Sequence, residues 1–402
     1  MESLRNLKTF TSNPLLFLDQ QFASNPAPVQ SLRIGHKKFH LVFDPSTAGD
    51  VLASRHDLFV QNRTIFDRIK PITGDKGLVQ LAGTQSQRER KKVRPMLLPS
   101  NLESMNGQIR SNTEEALGEL VCGQQVDIMA VMADLVLKNA FSVFLGLDLK
   151  ESARDIVSGF RELNELCGKR MVALAPLPLF LPVPANLRIR SLRNSLRTKI
   201  LLALRDSRPA ATNVHKIFMD SEFLIDQCMT FLFAGHETTA SSLAFTLLLL
   251  GSHPRYRDEI AGGADESALR VYKEALRLYP PAYMLAREAA VDTNLGTCSV
   301  RRGDQVLIGV SQIHRHPDFH QRPSEFDPQR FSQPVKAFLP FGLGAKSCIG
   351  EKLAYLEAVT IIKIFCQKFR FQTLEKEIRS FPLVTLHPRP GQYLKLEGVA
   401  RG

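Results

Sequence analysis

Apolar positions recur along this chain at two periods, which mark out a small strand-forming part and a long helical one. Ser31-Leu32-Arg33-Ile34 and Lys38-Phe39-His40-Leu41-Val42-Phe43 alternate, predicting two strands that turn around Gly35-His36. Asp44-Pro45-Ser46 then reads as a helix start, for a helix to about Ser54. Residues 61–82 show no strong period and carry Pro71, Gly74 and Gly77, so a loop is expected there. From 101 to 170 the period is helical, and Val126–Leu147, the most apolar stretch, predicts a core helix. Four prolines punctuate 175–185 and end any helix. The Leu/Phe content of that segment fits a lid over an apolar cavity or an ordinary packed turn. Leucines and isoleucines at helical spacing, among many arginines, follow through 188–205. The longest helix is expected from about Ser221 to Leu250, roughly 45 Å long, stopped at Gly251 with Pro254 beyond. A further apolar helix is expected from Glu351 to about Lys368, and Val306–Val310 and Tyr393–Leu396 read as strands. The fold class is therefore mainly α with a small β-rich lobe.

Composition narrows this picture. The 402 residues are 44% hydrophobic, ample for a globular core, and no linker, charge block or repeat divides them. A single domain over 1–402 is expected, its small β lobe drawn from about 25–65 with parts of 285–310 and 375–400. Six scattered cysteines without a CxxC pair argue against a disulfide framework or a zinc site and suit a reducing compartment. The first 22 residues hold only a short apolar patch at Leu15–Leu18, too short for a membrane anchor or a signal peptide, so a cytoplasmic location is expected. The formal net charge is +12, and the densest basic run is Gln87-Arg88-Glu89-Arg90-Lys91-Lys92-Val93-Arg94-Pro95. Charge runs are usually solvated helix faces. No aromatic residues interleave with this one, which argues against nucleic acid.

Two stretches carry candidate chemistry. In the long helix, Phe231-Leu232-Phe233-Ala234-Gly235-His236-Glu237-Thr238-Thr239-Ala240 sets a glycine, two titratable groups and two β-branched hydroxyl residues among apolar neighbours. Helix propensity falls by about 1–2 kcal/mol there, a weakness often tolerated for function. Further on, Phe341-Gly342-Leu343-Gly344-Ala345-Lys346-Ser347-Cys348-Ile349-Gly350 enters the 351–368 helix. Its glycines allow a close backbone approach to a flat group. The helix start favours a thiolate at Cys348, the form that binds metal. A lone cysteine is more often a buried small hydrophobe, and a lone Gly-x-Glu-Thr is common, so the surrounding strings decide.

Phe341-x-x-Gly344-x-Lys346-x-Cys348-x-Gly350-x-x-x-Ala354-x-x-Glu357 resembles the haem-binding loop of the cytochrome P450 family. Ala234-Gly235-His236-Glu237-Thr238-Thr239 is similar to that family's oxygen-binding motif. Lys273-Glu274-Ala275-Leu276-Arg277 and Asp327-Pro328-Gln329-Arg330-Phe331 match its Glu-x-x-Arg and the second arginine paired with it. Four motifs stand in the family's order, and the resemblance covers about 30 to 395. It implies a P450-like fold with haem b between the long central helix and the cysteine loop, Cys348 as the iron ligand, and a haem site that includes Phe341, Gly342, Gly350 and Ala234. Propionates would be held by Arg90, Arg287 and Lys346. Lys346 stands where arginine or histidine is usual, and Ser86 where tryptophan or histidine is usual. Glu237 and Thr238 would manage protons during dioxygen cleavage, and Glu274, Arg277 and Arg330 would form a structural network. Tyr283 and the pocket residues Phe231, Ala234, Met284 and Leu285 would face a hydrophobic substrate. The chain around Phe381–Leu386 would form the turn that enters the substrate site. The activity implied is a monooxygenase that inserts one oxygen atom from O2. Its electrons would come from a ferredoxin or flavodoxin with its reductase, docked near Arg88, Arg90, Lys91, Lys92 and Arg94. A peroxide-driven peroxygenase or isomerase of the same fold, and a non-catalytic haem sensor, are the competing readings.

Overall fold

The alternating segments pair as their period requires. Val29–Ile34 runs antiparallel to Lys37–Val42, with Leu32 opposite Phe39 and Gly35 at φ +62° in the turn. The computed structural model describes residues 2–147, 153–173, 176–205, 214–218, 223–263 and 265–398. In it the hairpin becomes one edge of a five-stranded sheet. Lys37–Val42 pairs in parallel with Gln305–Ile308, which pairs with Leu285–Ala289, and Phe59–Gln61 closes the far edge. Asp44 caps the next helix by accepting from the Thr47 N–H at 2.7 Å. That helix, Pro45–Gly49, continues as a π-helical turn to Ser54.

The long helix forms as Leu224–Ser252, with its expected start at Ser221 outside the described residues. Most of its residues are buried, including every one from Ser241 to Leu250. Fully burying a leucine or phenylalanine contributes roughly 1.5–3 kcal/mol, so the weak Gly-His-Glu-Thr-Thr turn is carried inside a strongly held element. The core gathers around this helix, Ile128–Ala140, Pro99–Gly118 and Glu351–Lys368. Gly235 is required by the packing, because a Cβ there would lie 2.5 Å from the Phe144 ring.

The structure corrects several expectations. Residues 61–82 are not all loop: Arg63–Phe66 and Lys70–Thr73 are short helices, the first capped by Asn62. Val126 belongs to a strand, Gln125–Asp127, and the core helix begins at Ile128. The N-terminal apolar patch lies in a helix, Pro14–Ser24, that buries Leu15, Phe17 and Leu18. Parts of 375–400 do not join the small β lobe. Tyr393–Gly398 pairs instead with Gln125–Asp127 and Phe369–Thr373, and this three-stranded sheet buries Val126, Phe371, Leu394 and Leu396 in the main helical core. Ser380–Pro382 and Leu386–Pro388 form a separate hairpin. Pro176–Val183 is irregular, with Leu177 and Phe180 exposed, and Ala175 lies outside the described residues.

Candidate active site

Between the central helix and the cysteine loop lie two adjoining cavities of about 270 and 260 Å³. Phe144, Ala234, Gly235, Leu285, Arg287, Lys346, Cys348 and Gly350 line both. The loop is fixed by its own backbone: the Cys348 N–H donates to Phe341 O at 2.8 Å, and the Ser347 N–H to Gly344 O at 3.0 Å. Gly344 has φ +69°, and a Cβ there would lie 2.3 Å from Leu52 O of the π-helical turn, so only glycine lets the two backbones meet. Upstream, the Leu339 N–H donates to His314 Nε2 at 2.9 Å. Burial pushes His314 down to about 3, keeping it a neutral acceptor.

Cys348 is exposed only in that its side chain opens into the cavity. Burial pushes its thiol up, and the Gly350 N–H and Arg90 only partly counter this. The expected preference for thiolate from the helix start is therefore reversed in the protein alone. Metal coordination displaces a thiol proton outright.

Arg90, Arg287 and Lys346 also line this space. Arg90 donates to Ser347 O, Arg287 to Ala286 O at 2.9 Å, and Lys346 to Leu81 O and, at 2.9 Å, to Ser86 Oγ. None of the three is ion-paired with a carboxylate among the described residues. Burial holds all three below their usual values, Arg287 at about 10 and Lys346 at about 8, and neighbouring Arg90, Arg287 and Arg63 add to the effect on Lys346. Buried cations without an anion are unfavourable. A flat ligand bearing two carboxylates, seated beside a sulfur ligand, fits this arrangement, and haem is such a ligand. Ser86 supplies a hydroxyl that seats the shorter Lys346 side chain.

On the central helix, Thr238 Oγ1 donates to Ala234 O at 2.9 Å, and Ala234, Thr238 and Thr239 face the cavity. The helix stays unbroken through this turn. Glu237 is turned away from the cavity. Its Oε1 lies 2.6 Å from His387 Nε2, and its Oε2 lies 3.5 Å from His236 Nε2. Burial would raise its carboxyl, but the hydrogen bond and charge of His387, with a further hydrogen bond from Asn164, hold it below the usual range.

Behind the loop, Glu274 and Arg277 are fully buried and paired twice, at 2.7 and 2.8 Å. Arg277 also donates to His314 O, Pro323 O and Glu325 O, and Arg330 approaches Glu274 at 3.5 Å. These bonds tie the helix Asp265–Leu278 to the chain leading into the loop.

Phe231, Ala234 and Leu285 line the cavities, together with Phe66, Leu78 and Val79. Met284 and Tyr283 do not. Met284, just ahead of the strand Leu285–Ala289, packs instead against the apolar clusters that hold Phe17, Leu18 and Phe245. Tyr283 is buried, with its hydroxyl donating to Leu383 O at 3.3 Å. Arg90 also leaves the expected docking surface, turning inward, while Arg88, Lys91, Lys92 and Arg94 remain exposed and Lys92 pairs with Glu89 at 2.8 Å. Sequence reasoning missed Phe144, Tyr272 and Ser242, whose place on the wall depends on tertiary packing. It also gave no role to Glu357, a wall residue that the loop motif already contained.

The helix Ile128–Leu145 is apolar and long enough to cross a membrane, but 61% of it is buried inside the protein, as expected of a core helix. The cytochrome P450 family profile matches residues 4–262 and 269–395. Cyclooctat-9-en-7-ol 5-monooxygenase of Streptomyces melanosporofaciens is 28% identical, over 89% of this chain and 85% of its own length. Cytochrome P450 709B1 of Arabidopsis thaliana is 26% identical, over 89% and 79%. The crystal structure of CYP175A1 from Thermus thermophilus superposes with a TM-score of 0.84 at 25% identity and covers 98% of both chains. With this fold, this loop and this central helix, the chain belongs to the cytochrome P450 family of haem monooxygenases.

Proposed function

We propose that the protein binds haem b with Cys348 as sulfur ligand and inserts one oxygen atom from O2 into a neutral, hydrophobic small molecule. Bound haem supplies the activation of dioxygen and the oxygen-atom transfer. The chain supplies the rest. Arg90, Arg287 and Lys346 bind the two propionates, and a charge-assisted hydrogen bond of this kind contributes about 1.5–3 kcal/mol. Phe341, Gly342 and Gly350 seat the flat face beside the sulfur. Phe66, Leu78, Val79, Phe231 and Leu285 exclude water and orient an apolar substrate. The Thr238 hydroxyl holds a proton at the oxygen side, replenished through Glu237.

The observation that carries this reading is the convergence of three carboxylate-free cations and one cysteine on a cavity whose other wall is apolar. One relative is named for acting on an alcohol, cyclooctat-9-en-7-ol, and the wall here fits a hydrocarbon skeleton of that kind. Electrons would arrive from a ferredoxin or flavodoxin with its reductase. The exposed Arg88, Lys91, Lys92 and Arg94 offer an acidic partner an oriented landing surface. A cytoplasmic location is consistent with such a donor.

The test is the carbon monoxide difference spectrum of the reduced protein beside that of Cys348→Ala. A strongly red-shifted Soret band in the parent, lost in the variant, is the expected result. A band typical of histidine ligation that survives the substitution overturns the proposal.

A further inference from the structure

Glu237 can reach the oxygen chemistry only by leaving the position in which the structure holds it. It belongs to no wall of the cavity, and its carboxylate is the hub of a buried cluster from three elements. His236 comes from its own helix, Asn164 from the helix Ala153–Val172, and His387 from the C-terminal hairpin. We propose that His387 is a positioning residue for Glu237: it holds the carboxylate out of the cavity and hands it the proton whose arrival releases it towards Thr238. This inference rests on the monooxygenase reading above.

The two histidines are not equivalent. His236 Nδ1 lies 3.0 Å from Leu232 O and so donates its proton there. The neutral ring then turns a lone pair, not a proton, towards Glu237. Burial keeps His236 in that neutral state, against the pull of Glu237. Asn164 can donate a hydrogen bond but cannot give up a proton. Arg161 and Asp134, the other charged groups facing His236, pair with each other at 2.9 Å. His387 is therefore the one titratable donor to Glu237 among the described residues. Its Nε2 lies 2.6 Å from Glu237 Oε1 and 2.8 Å from Thr385 Oγ1, and its Nδ1 has no protein partner there, leaving it to water.

When His387 carries both ring protons, transfer breaks the Nε2–H bond and forms O–H on Glu237 Oε1. An ion pair becomes two neutral groups, and the charge-assisted bond that held the carboxylate weakens. The neutral acid is then free to turn towards the Thr238 side of the helix, and once it has left, the bare His387 Nε2, beside Thr385 Oγ1 at 2.8 Å, takes a new proton from solvent while Nδ1 keeps its own.

The experiment compares the parent protein with His387→Phe and His387→Gln, using Glu237→Gln to assign the carboxyl. Infrared titration of the Glu237 carboxyl band reads the positioning without any turnover. In His387→Phe the protonated band persists to higher pH, because burial then acts with less opposition. In His387→Gln, which keeps an N–H donor, it stays closer to the parent. Peroxide released per electron consumed, with a surrogate ferredoxin and reductase, reads proton supply. Both variants release more peroxide per electron than the parent, as loss of one proton-transfer group requires, while their carbon monoxide bands match it. An infrared band unmoved in His387→Phe, or peroxide release at the parental level in His387→Gln, overturns the assignment. A parent protein without the thiolate-type carbon monoxide band instead marks failure of the monooxygenase reading, and the infrared result stands apart from it.

Discussion

Two groups of buried or half-buried cations serve the cysteine loop, and they differ in what neutralises them. Arg277 is fully buried, paired twice with Glu274, and gives its remaining donors to three carbonyl oxygens. Arg287 is 9% exposed, yet with Arg90 and Lys346 it forms a patch of positive charge that meets no carboxylate among the described residues. The first group is complete within the chain, whereas the second is complete only when an anion arrives. Full internal pairing therefore marks scaffold, and unpaired buried charge marks a ligand site.

The largest expected effect tests the scaffold side of this contrast. Arg277→Met strands the Glu274 carboxylate in the core, at a cost of about 3–5 kcal/mol. Urea unfolding of the haem-free protein should show that loss in full. Glu274→Gln combined with Arg277→Met should recover part of it, because no charge is then left unpaired. A single variant as stable as the parent would remove the distinction between the two groups.

A smaller effect is expected on the ligand side, and in a different observable. Arg287→Ala removes a buried cation that burial already disfavours, so the haem-free protein should unfold at or above the parental urea midpoint. Haem retention should fall by about tenfold or more, the value of one charge-assisted hydrogen bond, as read by haem transfer to an excess of apo-globin. If Arg287→Ala unfolds the protein as Arg277→Met does, its charge is structural after all.

How far this contrast could be read beforehand depended on how local each signal was. The glycine-punctuated loop, the Glu-x-x-Arg pair and the long apolar helix are local patterns, and the structure forms each of them. The direction of a side chain within an element was less legible. Leu285 and Met284 are both apolar neighbours, and only tertiary packing decides which one meets the cavity. Glu237 was recognisable as an acid beside a threonine, but its turn towards His387 depends on a hairpin some 150 residues later. Leu15–Leu18 read only as a patch too short to cross a membrane, whereas Phe17 and Leu18 join the cluster of Leu41 and Leu307 in the sheet, and Leu15 that of Phe245 and Leu386. Even the protonation tendency of Cys348 was misread, because burial, a tertiary property, outweighs the helix start.

Glu357 is an intermediate case that sharpens the contrast, being a buried acid with no cation paired to it among the described residues. It sits one helix turn beyond Leu353 on the cavity wall and accepts one hydrogen bond, from Asn139 Nδ2 at 2.9 Å. Burial pushes its carboxyl up to about 8, with Asn139 pulling the other way. In acid the folded and unfolded forms are both protonated, and the group has no effect on stability. As pH rises from the usual glutamate value towards 8, only the unfolded chain ionises, so stability should fall throughout that window and level off above it. The expected loss between about pH 5 and about pH 7 is roughly 2 kcal/mol. Glu357→Gln keeps the acceptor for Asn139 and removes the ionisation. Urea unfolding of the haem-free variant should therefore lose this slope and show higher stability than the parent at neutral pH. If the slope survives the substitution, the acid finds a compensating charge in the folded protein, and Glu357 belongs with the paired scaffold.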